Sequence, residues 1–317
     1  RHPDFEGRLG DARIAVFETG ERIPVGTVIE REHDGRTRLR PHGLRACAPF
    51  EGFHHPLHVA MAARRDEIVQ PARGKGITGG GTMGGGIAEV AAKSAINVVI
   101  QEPTVALGER AIRGIAASLD EAIAKWAITE SEKRAILSRI KTTDSYKGFE
   151  KVDFVIEAIV ESTEKKAKVF REVSQVCPPE AVIATNTSTI SITYLGAQSG
   201  RPKQFLGMHF QPPVPKKPLV ELVRGLETSD ETLQRARQLA EVMGKTAIEV
   251  YEWPGYATTR IIIPLINEAM YVVMENVASA ADVDIAMSKG CGMQKGPLHL
   301  ADEMGLDAVL AQSEHLF

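Results

Sequence analysis

The chain has 317 residues, of which 43% are hydrophobic and 25% charged, an ordinary composition for a globular protein with room for two domains. The net charge of −3 gives no reason to expect nucleic acid or a membrane surface as a partner, and no apolar run approaches the roughly 18 residues of a membrane span. The three scattered cysteines, Cys47, Cys177 and Cys291, form neither a metal motif nor a disulfide framework, so we expect a reducing compartment: the cytoplasm, or an organelle matrix in a eukaryote.

Residues 1–75 form a β-containing amino-terminal segment to which we assign no function. Its predicted elements are two strands, a hairpin turn and an amphipathic helix, at 12–17, 27–31, 33–36 and 56–69. His54, His55 and His58 suggest a metal site, but no matching cysteines or carboxylates accompany them. Surface histidines are the stronger interpretation, and we predict no metal.

A glycine-rich string, Gly79-Gly80-Gly81-Thr82-Met83-Gly84, has the G-x-G-x-x-G pattern of a dinucleotide-binding loop. Gly79 would permit a tight turn, Gly81 the approach of a pyrophosphate, and Gly84 close packing of helix on strand. Glu102 follows about 20 residues later, where an acid usually holds the ribose, and it favours NAD over NADP because a 2′-phosphate would be repelled. The residues before the loop, 73–78, contain one aliphatic side chain, which is unusual for a buried parallel strand and leaves a flexible linker as the alternative.

From residue 77 to about 250 the sequence alternates strand-like and helical stretches. We predict strands at 97–101, 152–157, 181–185, 205–210 and 246–250, and helices at 84–95, 103–126, 130–140, 162–176 and 230–243. This alternation is typical of an α/β fold with a doubly wound, mostly parallel sheet of the Rossmann type, which binds ligands at the carboxyl ends of its strands. The polar residues 185–188 would lie at that edge, although a simple polar turn explains them equally well.

After Pro254-Gly255 the pattern becomes helical. A helix over 258–276 is apolar on most faces and must be buried, either within a helical domain or at a dimer interface. Shorter helices follow at 281–289 and 297–303. We therefore divide the chain into residues 1–75, a dinucleotide-binding domain at 76–253, and a helical carboxyl-terminal domain at 254–317.

One histidine and one carboxylate lie at a suggestive spacing. His209 follows an apolar run, and Glu221 lies twelve residues later inside another. Two strands or turns could bring Glu221 onto the imidazole, and a carboxylate-oriented histidine can remove a hydroxyl proton near neutral pH. The alternative is a core histidine with an unrelated surface glutamate.

Six strings in order resemble the L-3-hydroxyacyl-CoA dehydrogenase family. They are GGGTMGGGIA (79–88), VDFVIEAIVES (152–162), ATNTSTI (184–190), GMHF (207–210) with PLVELV (218–223), PGYATTR (254–260) and GPLHLADEMGLD (296–307). The resemblance implies NAD-dependent oxidation of the 3-hydroxyl of an acyl-CoA in fatty-acid β-oxidation or short-chain acyl-CoA metabolism. It also implies a homodimer, or a part of a multifunctional β-oxidation enzyme, with no nucleic-acid or membrane partner.

The resemblance also assigns site residues. It implies that His209 is the catalytic base, that Glu221 is its partner, and that Ser188 contacts the substrate oxygen. It places Glu161 and Lys166 near the nicotinamide half of NAD and Asn186 along the active site. The predicted cofactor-binding set is Gly79, Gly81, Thr82, Met83, Gly84, Glu102, Glu161, Lys166 and Asn186.

Two departures from the family pattern affect the candidate site. The family asparagine of P-G-F-x-x-N-R is Thr259 here, which we keep in the predicted catalytic set, and F-F-N-P reads Phe210-Gln211-Pro212-Pro213. The chain also ends short of the family's usual carboxyl terminus. Two alternatives therefore remain: a catalytically weak NAD-binding relative, and a dehydrogenase of a free hydroxy or sugar acid.

Overall fold

The computed structural model describes residues 27–31, 37–41 and 74–316, which belong to two compact units, Arg1–Glu67 and Ile68–Phe317. In the first unit, β1 (Thr27–Arg31) pairs antiparallel with β2 (Thr37–Pro41), which confirms the strand predicted at 27–31. The predictions at 12–17, 33–36 and 56–69, and the three histidines His54, His55 and His58, lie outside the described residues.

The second unit is built on one eight-stranded sheet. Its strands are β3 (Lys75–Thr78), β4 (Val98–Gln101), β5 (Ile140–Thr143), β6 (Phe154–Glu157), β7 (Val182–Thr185), β8 (Phe205–Phe210), β9 (Leu219–Arg224) and β10 (Thr246–Tyr251). They lie in the order β10-β9-β8-β7-β6-β3-β4-β5. The strands from β8 to β5 are all parallel, whereas β9 and β10 run the opposite way. The six parallel strands thus have the doubly wound 3-2-1-4-5-6 order. Successive strands are added on one side of β3 up to β5 and on the other side from β6 onward, so the switch point lies between β3 and β6.

Ten α-helices accompany the sheet in the described part of this unit. They are α1 (Thr82–Lys93), α2 (Val105–Ala124), α3 (Glu130–Ser138), α4 (Thr163–Val176), α5 (Ile192–Ser199), α6 (Asp230–Val242), α7 (Thr258–Met274), α8 (Ala280–Ile285), α9 (Pro297–Met304) and α10 (Leu306–Leu316). Most begin at a serine or threonine whose side chain accepts a backbone N–H of the first turn. The helices α1 and α7 are exceptions without a side-chain cap of this kind, and both begin at the candidate site.

Apolar side chains pack on both faces of the sheet because successive strand residues point to opposite sides. In β6, Phe154 and Ile156 belong to one core cluster and Val155 to the other. A third cluster, with Ile263 of α7 and Val309 of α10, holds the carboxyl-terminal helices together. None of the helices in the described ranges is long and apolar enough to span a membrane.

The predicted fold class is confirmed, and the interpretation of residues 73–78 as a linker is wrong. These residues contain β3, which lies between β4 and β6 in the middle of the sheet. Ile77 is the one aliphatic residue of the strand, and Gly76 replaces another because it makes room for a neighbouring ring: a Cβ there would lie 2.6 Å from Cε1 of Phe149. The sequence analysis did not predict β2, β5, α5 or α10, and it offered a strand around Glu221, now β9, only as an alternative to a turn.

Candidate active site

The glycine loop joins β3 to α1 at the switch point of the sheet. Gly79 has a φ of 87°, and a Cβ at Gly84 would lie 1.8 Å from the Gly79 carbonyl oxygen, so both positions require glycine for the loop to close. A Cβ at Gly81 would meet no atom within 4 Å. That glycine therefore leaves space on the outside of the loop, where a ligand can approach the backbone.

The start of α1 is suited to an anion. Gly81 is the N-cap and has no side chain to occupy the free N–H groups of the first turn, which contains Thr82 and Met83. Glu102 follows β4, and its Oε1 accepts a hydrogen bond from the Gly80 N–H. The loop, helix terminus and acid are thus assembled as the sequence predicts, and together they fit the pyrophosphate and ribose of a dinucleotide.

His209 and Glu221 are directly opposite each other on the antiparallel strands β8 and β9. The His209 Nδ1 lies 2.7 Å from the Glu221 Oε2. An ionised carboxylate only accepts hydrogen bonds, so Nδ1 carries the proton and donates. The other ring nitrogen, Nε2, has no hydrogen-bond partner within the described part of the chain. The imidazole is therefore held in the tautomer of a general base, with its basic nitrogen free.

Glu221 is fully buried, yet several donors surround its carboxylate. Its Oε1 accepts from the backbone N–H groups of Ala257 and Thr258 at 3.1 and 3.0 Å, so Glu221 caps α7, which lacks a side-chain cap of its own. Burial alone would raise the pKa of Glu221, but the hydrogen bonds from His209 and Thr258 outweigh it and hold this pKa below its usual range. The carboxylate is therefore ionised at neutral pH.

Polar side chains continue along the same edge of the sheet. The Asn186 Oδ1 accepts a hydrogen bond of 2.9 Å from the Phe210 N–H and so ties the end of β7 to the end of β8. Ser188 is half-buried, and its hydroxyl has no hydrogen-bond partner among residues 74–316. The edge thus offers an unengaged hydroxyl on the segment after β7, the strand next to β8.

A second buried cluster of charges extends from the end of β6. The Lys166 ammonium, only 1% exposed, lies 2.6 Å from Glu157 Oε1 and 3.3 Å from Glu161 Oε2. Burial raises the pKa of Glu157, because Lys166 and Thr185 offset it only in part. Burial would likewise raise the pKa of Glu161, but Lys166 and the hydroxyls of Thr187 and Thr189 lower it overall. Glu161 is the accessible member of this cluster, and Lys166 is enclosed beneath it.

Three residues at the site were not predicted. Glu157 was recognised only as the end of a strand, since its role depends on Lys166 of the next helix. Thr258 donates to Glu221, and Tyr256 packs its ring edge-on against His209, with centroids 5.3 Å apart. Thr259, which was predicted, is buried in the first turn of α7, and its hydroxyl has no partner in the described ranges.

Comparisons with known proteins identify the family. Residues 75–253 match the NAD-binding domain of 3-hydroxyacyl-CoA dehydrogenase and residues 255–317 match its C-terminal domain. The chain is 43% identical over 241 residues to a probable 3-hydroxybutyryl-CoA dehydrogenase of Deinococcus radiodurans, covering 76% of this chain and 86% of that protein. A relative in Bacillus subtilis with the same description is 40% identical over 240 residues, covering 76% and 84%.

Two solved structures are also similar. The (S)-3-hydroxybutyryl-CoA dehydrogenase PaaH1 of Ralstonia eutropha has a TM-score of 0.74 at 43% identity, covering 77% of this chain and 87% of that one. FadB2 of Mycobacterium tuberculosis has a TM-score of 0.76 at 35% identity, covering 78% and 87%. The chain therefore belongs to the 3-hydroxyacyl-CoA dehydrogenase family.

Proposed function

We propose that the chain oxidises the 3-hydroxyl of a short-chain L-3-hydroxyacyl-CoA to the ketone, with His209 as the general base. Family membership makes it an NAD-dependent dehydrogenase of 3-hydroxyacyl-CoA. One observation carries the assignment of the base: Glu221 fixes Nδ1 of His209 while Nε2 has no partner among residues 74–316. A base held in one tautomer is what removal of a hydroxyl proton requires.

Three side chains of the protein take part in the proton transfer, each in a different role. The His209 Nε2 takes the hydroxyl proton, and Glu221 stabilises the imidazolium that forms. The Ser188 hydroxyl hydrogen-bonds the reacting oxygen. When bound, NAD supplies the acceptor for the hydride that leaves the substrate carbon.

The cofactor would be held at the switch point of the sheet. The Gly79–Gly84 loop, with the first turn of α1, would hold the pyrophosphate, and Glu102 the ribose. Asn186 and Glu161 would line the nicotinamide half, with Lys166 holding Glu161 in place. The helical domain completes the site because the first turn of α7 donates to Glu221. This supports a division of the chain into residues 76–253 and 254–317.

The assay is oxidation of NADH by purified protein with acetoacetyl-CoA, compared with NAD reduction in the presence of gulonate as a free sugar acid. We expect turnover with the CoA ester alone. A folded protein that binds NADH but never oxidises it with any acyl-CoA chain length would contradict the proposal. Turnover of gulonate without turnover of acyl-CoA would favour the free-acid alternative.

A catalytically weak relative is the second candidate. Thr259 stands where the family pattern has asparagine, and its single hydroxyl offers less than the two donors and the carbonyl of an amide. If this candidate holds, Thr259→Asn raises turnover while NADH binding stays constant. Turnover of the native chain at the level of its relatives, with no gain from Thr259→Asn, excludes it.

We also propose that the chain forms a homodimer through its helical domain. Ile261 and Met274 of α7 are 67% and 66% exposed, and Leu310 of α10 is 61% exposed. Burying such a side chain contributes roughly 1.5–3 kcal/mol, and a two-fold contact would cover the same patch on both copies. Light scattering at micromolar concentration tests this, and a stable monomer would contradict it.

A further inference from the structure

A second set of polar groups, the Thr258 hydroxyl and the Gln211 amide, reaches Glu221 beside the imidazole. The Thr258 Oγ1 lies 2.9 Å from Glu221 Oε2, the same oxygen that His209 contacts. The side-chain nitrogen of Gln211, Nε2, lies 2.9 Å from Thr258 Oγ1. It also lies 3.2 Å from His209 Nδ1.

The direction of these hydrogen bonds follows from Glu221. The ionised carboxylate can only accept, so the Thr258 hydroxyl must donate its single proton to it. That hydroxyl can then only accept from Gln211, whose amide donates. The proton on His209 Nδ1 also points at Glu221, so the Gln211 amide lies alongside the ring without bonding to it.

Neither side chain belongs to the pattern that relates this chain to its family. Gln211 stands at the second phenylalanine of F-F-N-P, and Thr258 occupies a variable position of P-G-F-x-x-N-R. The two asparagines of these strings are Pro212 and Thr259 here. Relative to the family pattern, the chain therefore lacks two amides near the site and has instead a hydrogen-bonded amide and hydroxyl, Gln211 and Thr258, next to His209 and Glu221.

We propose that Thr258 and Gln211 are positioning residues that fix the Glu221 carboxylate, and through it the His209 imidazole, in the reactive orientation. This inference rests on the proposed function. Gln211 orients the Thr258 hydroxyl, and that hydroxyl shares Oε2 with the imidazole. Neither residue is assigned a contact with substrate or cofactor.

The first test is the kinetics of Thr258→Val, which keeps the shape but removes the hydroxyl. We expect kcat to fall about 5- to 30-fold, because the hydroxyl acts on the base only through Glu221, with little change in the KM for NADH. Thr258→Ser should restore most of the lost kcat.

The pH profile is a further readout of the same variant. The acidic limb of the kcat/KM profile for oxidation should move to higher pH in Thr258→Val, because the carboxylate of the His209–Glu221 pair loses a donor and the pair holds a proton more readily. Tyr256, the other titratable side chain against His209, has its pKa raised by burial and does not contribute to that limb.

The second test is a double-mutant cycle with Gln211→Met. If the amide acts through the hydroxyl, Gln211→Met lowers kcat less than Thr258→Val, and the double variant is no worse than Thr258→Val alone. Thr232→Val is the matched control, since it removes a buried threonine hydroxyl on α6 that donates to the Lys203 carbonyl. The acidic limb of the kcat/KM profile of Thr232→Val should stay at the same pH as in the native protein. Additive losses, or a Thr258→Ser as poor as Thr258→Val, would overturn the proposal.

A third readout does not depend on turnover. The imidazole N–H that donates to Glu221 should give a downfield proton resonance that is missing in His209→Gln. We expect this resonance to shift or broaden in Thr258→Val and Gln211→Met and to stay in place in Thr258→Ser. An inactive native chain with these changes would contradict the proposed function but keep the positioning role, whereas an unmoved resonance in Thr258→Val would overturn the positioning role.

Discussion

Two clusters of charged side chains lie at one edge of the sheet in the part of the chain that the structure describes, and they are built differently. In the Glu157–Lys166–Glu161 cluster, one ammonium faces two carboxylates, and threonine hydroxyls occupy further oxygens. In the His209–Glu221 pair, the carboxylate is saturated by donors but the imidazole keeps Nε2 free. The first cluster has its charges paired internally, and the second leaves one basic atom unused.

This difference in hydrogen bonding distinguishes a structural cluster from a catalytic one. A group whose hydrogen bonds are all made inside the protein stabilises and positions its surroundings but is not available to take a proton from a substrate. A group held firmly on one side and free on the other can exchange a proton without moving. We call His209–Glu221 the open pair and Glu157–Lys166–Glu161 the closed cluster. We expect loss of the open pair to remove the chemical step, and loss of the closed cluster to remove stability and weaken NADH binding.

The largest effect is expected from His209→Ala. Removing the base should lower kcat by about 10²–10⁴-fold while the protein stays folded, because only the imidazole is lost. NADH oxidation with saturating acetoacetyl-CoA measures this. A loss below tenfold would show that the open nitrogen is not the base.

A large stability loss is expected from Lys166→Met. It leaves the buried carboxylate of Glu157 and the accessible one of Glu161 without their cation, which should lower the free energy of unfolding by about 3–5 kcal/mol. Urea denaturation measures it. Lys168→Met is the matched control on the same helix: its side chain is 73% exposed and 3.9 Å from Glu172, so its loss should be under about 1 kcal/mol. Equal losses in the two variants would contradict the closed-cluster account.

An intermediate effect is expected at the glycine loop, where two positions should respond in opposite ways. Gly81→Ala adds a methyl group that meets no protein atom, so stability should hold while NADH binding weakens by roughly 10- to 200-fold. Gly84→Ala places its methyl group 1.8 Å from the Gly79 carbonyl and should destabilise the fold itself. Fluorescence titration with NADH and thermal unfolding separate the outcomes. Normal NADH binding by Gly81→Ala would exclude the loop as the pyrophosphate site.

The smallest effect concerns stability in acid. The pKa of Glu221 is lower in the folded than in the unfolded chain, so its stabilisation is complete above the ordinary carboxyl value of about 4.3 and disappears as the pH falls through the folded value. Glu221→Gln should be less stable at neutral pH but should lose less on acidification. Urea midpoints between about pH 3 and pH 6 test this against Glu241→Gln, an exposed carboxylate on α6. A slope in Glu221→Gln as steep as in the native protein would contradict it.

The sequence predicted those parts of the site whose residues lie close together in the chain. The glycine loop and the polar string at 185–188 are contiguous, and Rossmann topology brings them to one edge. The sequence did not predict features that depend on a contact with a residue far away in the chain. Gly76 is unusual for a buried strand until Phe149 is seen filling its space. The reversed direction of β9 and the capping of α7 by Glu221 both depend on register and long-range contacts, which no single window of sequence contains.

The most direct test of the account is single-turnover hydride transfer, measured by mixing protein pre-bound to saturating NADH with saturating acetoacetyl-CoA, in His209→Gln and Lys166→Met side by side. The temperature is chosen so that circular dichroism shows both variants folded. The account predicts that His209→Gln slows transfer at least about 100-fold. Lys166→Met should weaken NADH binding by releasing Glu161, but once NADH is saturating its transfer rate should stay within about tenfold of the native rate despite its lower stability. If Lys166→Met slows transfer as much as His209→Gln, the distinction between the open pair and the closed cluster is wrong.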